Sequence, residues 1–234
     1  MSEIRSNESI LIGILDLKGL KVADIGSGAG EMVRYMTRQG ARVTGLECGD
    51  LQLEKARSFP AEGDEVYLQG VGQDQPFDDN SFDVVTFFNS LHHVPLEHMA
   101  GAMDEALRVV KPGGTVYVGE PIAAGRGFEL NAPIDDETSV RTSAYDAIQN
   151  AAAHGLKQVR EIFYDTVYHY ENFAAFKDRT IRIDPERRAP FEAIEDDLRS
   201  AFERLGIADE DGIRFDQPMR VNVLQKAQGE REHR

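Results

Sequence analysis

Apolar residues recur along the first half of this chain in two alternating rhythms, one helical and one extended. Ile10, Leu11, Ile14 and Leu15 fall at helical spacing and predict a short amphipathic helix within residues 6–18, ended by Gly19. Val22–Ile25 reads as a short buried strand. Met32, Val33 and Met36 then define the apolar face of a helix over 30–38, which Gly40 stops. Strands follow at Arg42–Leu46 and Val66–Gln69, separated by a helix from Asp50 to Ser58 with Asp50 as its N-cap. Gly70–Ser81 is a loop. Phe82–Phe88 is almost wholly apolar, as expected of a parallel strand covered on both faces. A helix over 96–110 is broken by Lys111-Pro112-Gly113-Gly114, and Thr115–Gly119 forms a fifth strand. The repeated β-α pattern implies a parallel sheet with right-handed crossovers.

After Glu120-Pro121 the rhythm changes. Residues 122–136 read as a loop, 137–153 as an alanine-rich helix and Lys157–Tyr168 as an alternating strand. Helices are expected over 171–180 and 186–205. The second carries Phe191, Ile194, Leu198, Phe202 and Leu205 as one stripe. A last strand lies at Met219–Leu224, and 227–234 is a polar tail. With no repeat and no low-complexity linker, residues 1–234 are expected to form one domain.

Between the first strand and the first long helix stands Asp24-Ile25-Gly26-Ser27-Gly28-Ala29-Gly30. A glycine loop at such a junction lets a ligand approach bare backbone and aims the helix-terminal N–H groups at it. The dinucleotide fingerprint G-x-G-x-x-G needs its third glycine at position 31, which holds Glu31, a residue that repels a pyrophosphate. Glu47 ends the second strand 21 residues after Gly26, where an acid accepts hydrogen bonds from both hydroxyls of a ribose, or else caps the next helix. Cys48 beside it suits packing on an adenine face and not nucleophilic work, because nothing nearby lowers its pKa.

Asp24 to Gly30, the run Gly70 to Asp83 with its Pro76-Phe77 and Ser81-Phe82-Asp83, Leu91-His92-His93-Val94, and Leu107-Arg108-Val109-Val110-Lys111-Pro112-Gly113-Gly114 occur in order across 22–120. In this the chain resembles the class I S-adenosylmethionine (SAM)-dependent methyltransferases of the small-molecule type. The resemblance implies an α/β fold: a Rossmann-like doubly wound seven-stranded sheet of order 3-2-1-4-5-7-6 with the last strand antiparallel, and helical additions after strand 5. Residues 1–120 are then the SAM-binding half and 121–226 the substrate-covering half with the closing strands. SAM is the implied cofactor and S-adenosylhomocysteine the coproduct. Asp24, Gly26, Ser27, Gly28, Glu47, Cys48, Gly72, Gln73, Asn89 and Ser90 are the implied cofactor-binding residues. One departure stands out. The position where the family places an acid or amide for the adenine is Val71, so Gly72 N–H, Gln73 or Asp74 must replace it.

His92 and His93 sit where the fourth strand ends, the edge at which open α/β sheets bind ligands. Either is a candidate general base, with a side chain that titrates near neutrality, or a support for the loop. Asp135, Asp136, Arg141 and Tyr145 form a polar cluster at a loop–helix boundary and are candidates to face the substrate, with helix capping as the simpler role for the two aspartates. The lead-in before the first strand is expected to be too short to cover the site. The aromatic group Tyr164, Tyr168, Tyr170, Phe173 and Phe176 is expected to be core or to line an apolar pocket.

Composition narrows the partners. A formal net charge of −15, from 41 acids against 26 bases, disfavours nucleic acid and anionic membranes. One cysteine excludes an intramolecular disulfide, and no metal is expected. The N-terminus lacks a signal-peptide profile, and no apolar run approaches the ~18 residues of a bilayer span. A cytoplasmic protein that methylates an O, N or C atom of a small molecule, as monomer or homodimer, is the expectation. A SAM-binding or SAM-modifying protein without transferase activity is one alternative. An NAD(P)-dependent oxidoreductase is the other.

Overall fold

The computed structural model of the protein describes residues 3–228; the end of the expected polar tail lies outside them. The described residues form eight strands and nine α-helices. In chain order they are α1 (Asn7–Ile12), β1 (Lys21–Ile25), α2 (Glu31–Arg38), β2 (Arg42–Glu47), α3 (Asp50–Ser58), β3 (Val66–Gln69) and β4 (Phe82–Phe88). Then come α4 (Met99–Val109), β5 (Val110–Pro121), α5 (Gly125–Asn131), α6 (Thr138–Ala153), β6 (Leu156–Tyr170), α7 (Phe173–Ile183), α8 (Arg188–Ala193), α9 (Glu195–Leu205), β7 (Ile207–Asp209) and β8 (Gly212–Lys226). The strands are ordered β3-β2-β1-β4-β5-β8-β6, with β7 paired to β8. This is the expected order, β8 taking the place of the family's seventh strand.

The first five strands are parallel. β8 runs against both its neighbours. Ile122 N–H donates to Pro218 O at 2.9 Å while Gly119 faces Val221, so residue numbers fall on one strand as they rise on the other. Asn222 Nδ2 reaches Glu161, and Thr166 Oγ1 reaches Gln217 O, the same antiparallel register against β6.

Two compact units make up the chain. Of the described residues, the larger comprises Ser6–Glu120, Val140–Ile162 and 220–228; the smaller comprises 3–5, Pro121–Ser139 and Phe163–Met219. In the larger unit the sheet residues Ala23, Val85, Phe87, Val116 and Val118 pack with Met103, Ala106, Ala144 and Ile148. The smaller unit has an aromatic core. Phe176, Phe191, Phe202 and Phe215 are buried with Tyr170 and Phe173, and ring centroids lie 5.0–6.2 Å apart. Tyr170, Phe173 and Phe176 are therefore core.

Several boundaries differ from the sequence reading for local reasons. The end of α2 is not one of these: the helix stops at Arg38 as expected, in a cap where Gly40 has φ +88° and donates to Thr37 O, and Ala41 N–H donates to Met36 O. The N-cap of α3 is Gly49 and not Asp50, because Glu47 already holds the Gly49 N–H. The expected loop 122–136 contains α5, hidden in the sequence by two glycines with poor helix propensity and anchored by fully buried Leu130. The expected helix 186–205 breaks at Ile194, and Glu195, Asp196 and Asp197 favour a new helix start there. β8 begins seven residues before the expected Met219, since Pro218 interrupts the apolar pattern without ending the strand. Among the described residues no helix is long and apolar enough to cross a membrane.

The smaller unit's core depends on Phe176, which is 0% exposed and lies 5.2 Å from the Tyr170 ring. Phe176→Ala should cost about 3–5 kcal/mol of stability, read as a lower urea midpoint with unchanged slope. A loss below 1 kcal/mol would contradict this packing.

Candidate functional site

The site forms where β1 ends. Gly26, at φ +69°, has no room for a side chain: an added Cβ would lie 2.6 Å from Ser90 Cβ. The chain turns there and is tied down by backbone bonds, with Gly26 N–H and Ser27 N–H both donating to Leu46 O at 2.8 and 3.0 Å. Ser90 Oγ donates to Ile25 O at 2.7 Å, which fixes the end of β4 against the same turn. Behind the loop, the Arg34 guanidinium donates to Ala29 O at 2.9 Å and stacks over the Phe59 ring.

Glu47 closes the arrangement. Its buried carboxylate accepts Gly28 N–H through Oε2 and Gly49 N–H through Oε1, each at 2.8 Å, and so links the tip of β2 to the glycine loop. Beside it Asp24 is buried and accepts a bond from Thr86 Oγ1 at 2.7 Å. Burial pushes its carboxyl up to about 7, Thr86 partly offsets this, and the Glu47 charge adds to it. The Cys48 thiol is also pushed up, by burial and then by Glu47, so it is held in the unreactive form.

These residues open onto a cavity of about 840 Å³, within the ~300–1,000 Å³ typical of small-ligand sites. All ten expected cofactor-binding residues line it: Asp24, Gly26, Ser27, Gly28, Glu47, Cys48, Gly72, Gln73, Asn89 and Ser90. His93 lines it too, as do Glu31 and Met32 at the start of α2. Ser27 Oγ is buried with no hydrogen-bond partner among the described residues, a polar atom suited to a ligand. On the far side Gly72 and Gln73 are on the wall, whereas Asp74 is not. Arg108 of α4 secures this segment, donating to Phe77 O at 2.7 Å and Gln75 O at 3.0 Å while pairing with Glu105.

At the opposite end Asn89 adopts φ +50° and turns the chain into a single 3₁₀ turn, Leu91–His93. Glu120, at the end of β5 and 1% exposed, organises that turn. Its Oε1 accepts Ser90 N–H at 3.0 Å and Leu91 N–H at 2.9 Å, and its Oε2 bonds His92 Nδ1. His92 is buried, off the cavity wall, and His93 stacks against it with centroids 4.0 Å apart.

The expected substrate cluster is divided between the units. Asp135 pairs with Arg187 in the smaller unit, and Asp136 caps the start of α6 through Thr138. Arg141 and Tyr145 belong to the larger unit, where Tyr145 OH donates to Glu161 at 3.0 Å. Sequence reasoning missed Glu120, whose signal was a lone acid ending an apolar strand. It also missed Asn7 and Glu8, for the lead-in helix does contribute to the cavity wall.

Residues 23–118 match the family described as a methyltransferase domain, Methyltransf_11. The 27-O-demethylrifamycin SV methyltransferase of Amycolatopsis mediterranei (strain S699) is 32% identical over 152 residues, 62% of this chain and 55% of that protein. A sterol 24-C-methyltransferase of Yarrowia lipolytica is 37% identical over 118 residues, 48% of this chain and 30% of that one. A ubiquinone biosynthesis O-methyltransferase of Pseudomonas aeruginosa (strain UCBPP-PA14) is 38% identical over 108 residues, 44% of each chain. The chain thus spans about half, or less, of the length of these curated relatives. Among solved structures, a Bacillus halodurans C-125 protein superposes with TM-score 0.67 at 18% identity, covering 95% of this chain and 100% of that one. The [4+2]-cyclase SpnF does so with TM-score 0.63 at 18% identity, covering 95% and 80%. At these identities the likeness is one of fold.

The buried Asp24 carboxyl has a consequence for stability. With its pKa raised from 3.8 to about 7, the folded state keeps a proton that the unfolded chain releases between those values. Stability therefore falls as pH rises from about 4 to about 7 and levels off above, by roughly 4 kcal/mol at most. Urea unfolding across this range should show that decline in the native protein and a flatter profile in Asp24→Asn. Parallel profiles would refute the assignment.

Proposed function

We propose that the chain, whose residues 23–118 match a methyltransferase domain and whose sheet has the Rossmann-like class I order, transfers the methyl group of SAM to an oxygen atom of a small molecule. One observation carries the reading: all ten residues expected to hold the cofactor converge on one 840 Å³ cavity. The donor set suits SAM. Glu47 offers a carboxylate for the ribose hydroxyls, the bare backbone of Gly26–Gly28 and the unpartnered Ser27 Oγ suit the amino-acid end, and Gly72 and Gln73 face the adenine end with Cys48 against its ring. Glu31, on the cavity wall at the start of α2, disfavours the pyrophosphate of a dinucleotide. SAM supplies an electrophilic methyl group on a sulfonium, and its displacement leaves neutral S-adenosylhomocysteine.

The chain's own part is to hold the acceptor in line and to remove its proton. Positioning supplies much of the rate. His93, on the cavity wall, takes the hydroxyl proton of the acceptor. Glu120 fixes His92 through Nδ1, and His92 in turn supports the His93 ring. The O-methyltransferases among the relatives support oxygen as the acceptor atom, and their small-molecule substrates support the substrate class. The net charge of −15 fits a small molecule better than a nucleic acid.

A second reading, a SAM-binding protein with a different reaction, is favoured by one observation: the fold is shared with a [4+2]-cyclase. Turnover separates them. Transfer of labelled methyl from SAM to an acceptor in a small-molecule extract supports the transferase; SAM binding without any transfer supports the second reading.

Calorimetry with SAM, S-adenosylhomocysteine and NAD in parallel should show binding of the first two, and binding of NAD alone would overturn the proposal. Glu47→Ala should weaken SAM about 10–100-fold, since it removes charged hydrogen bonds of ~1.5–3 kcal/mol. Gly28→Asp should abolish SAM binding and leave the fold intact, because no atom lies within 4 Å of an added Cβ there and aspartate tolerates φ +54°. Retained affinity would mean that the loop does not hold the cofactor.

A further inference from the structure

The larger unit buries one cation whose hydrogen-bonding capacity is mostly unused. Arg220 lies on β8 with its side chain 12% exposed. Its Cζ sits 3.3 Å from the centroid of the Tyr145 ring on α6, and its Nε donates to Asn222 Oδ1 at 3.2 Å. The nearest carboxylate oxygen, Glu161 Oε1, stands 4.0 Å from Nε and already accepts from Tyr145 OH and Asn222 Nδ2. Among the described residues nothing accepts a hydrogen bond from Nη1 or Nη2 of Arg220. Burial holds the guanidinium below its ordinary pKa, with Tyr145, Glu161 and Glu120 acting the other way. The guanidinium is thus paired only at 4.0 Å with Glu161, and its Nη atoms, which are not among the buried partnerless atoms, are left open to a ligand.

Its position in the sheet says which anion. The register in which Ile122 meets Pro218 and Gly119 faces Val221 sets Glu120 opposite Arg220. Cross-strand partners project on the same face of the sheet. Glu120 is itself saturated by Ser90 N–H, Leu91 N–H and His92, so it orients its neighbour without capping it. Ser90 lines the cofactor cavity. Arg220 is thus separated from Ser90 on the cavity wall by β5, with Glu120 between them. It is held flat by an aromatic ring, in the planar form that matches a carboxylate.

We infer that Arg220 docks an anionic group of the methyl acceptor, a carboxylate received by its Nη edge beside the His92–Glu120 pair. The inference rests on the methyltransferase reading above. A single negative charge fits better than a phosphate, because Glu120 and Glu161 both stand close to the guanidinium and repel a dianion more strongly. Tyr145, a candidate from its sequence position, serves this site by stacking under Arg220.

Calorimetry on the full chain saturated with S-adenosylhomocysteine tests this, with 4-hydroxybenzoate, 4-hydroxybenzamide and inorganic phosphate as probes. The carboxylate should bind about 10-fold tighter than its neutral amide. Arg220→Gln should erase that preference while S-adenosylhomocysteine affinity stays unchanged, and Arg220→Lys should restore part of it. Equal affinity of acid and amide for the unaltered protein overturns the inference whether or not the variants fold. So does a preference that survives Arg220→Gln, and tighter binding of phosphate overturns the choice of a carboxylate. Failure of S-adenosylhomocysteine itself to bind would strike the methyltransferase reading instead.

Discussion

The cavity depends on how closely the ends of β1 and β4 approach each other. Gly26 meets Ser90 where no side chain fits, and Ser90 Oγ bonds the carbonyl of Ile25 across the gap. That contact forces the chain to leave β1 in a left-handed turn, which frees the backbone of residues 26–28 to face the cavity. β2 reinforces it from the other side, since Leu46 O takes two N–H groups of the loop and Glu47 takes a third. The carboxylate proposed to serve the ribose is therefore also part of the scaffold that shapes the loop.

Glu120 does at one end of the site what Glu47 does at the other. Each is a buried acid at the C-terminal tip of a parallel strand, and each spends its lone pairs on backbone N–H groups of a neighbouring loop. Buried carboxylates are costly unless so satisfied. Here the bonds hold two loops on which a cofactor and an acceptor would converge. Glu120 adds a link to His92, which supports the candidate base His93, and stands opposite Arg220, so one residue connects the support of the base to the candidate anion site.

Much of the larger unit is readable from local pattern. β3, β4 and α3 fall where apolar spacing puts them, and Gly26, Gly28 and Glu47, which the local pattern singles out, all line the cavity. The smaller unit is less legible. α5 contains glycines that argue against a helix, and the break at Ile194 interrupts a stripe that reads as continuous. In both cases packing overrides propensity, as buried Leu130 and the aromatic core decide what local preference does not.

Local sequence determined by itself the parallel βα order, the glycine turn and the acid at the end of β2, because each follows from residue type and spacing over a few positions. Only the tertiary structure decided what meets across long separations. Thr86 reaches Asp24 across 62 positions and sets a buried carboxyl against it. Glu120 reaches Ser90 and His92 across about thirty, and the antiparallel register of β8 brings Arg220 opposite Glu120 from 100 residues away. Such pairings depend on strand order and register, which no local periodicity encodes. The residues proposed for the cofactor were accordingly visible in the sequence, whereas the proposed anion site on β8 emerged only from the register of the closing strand.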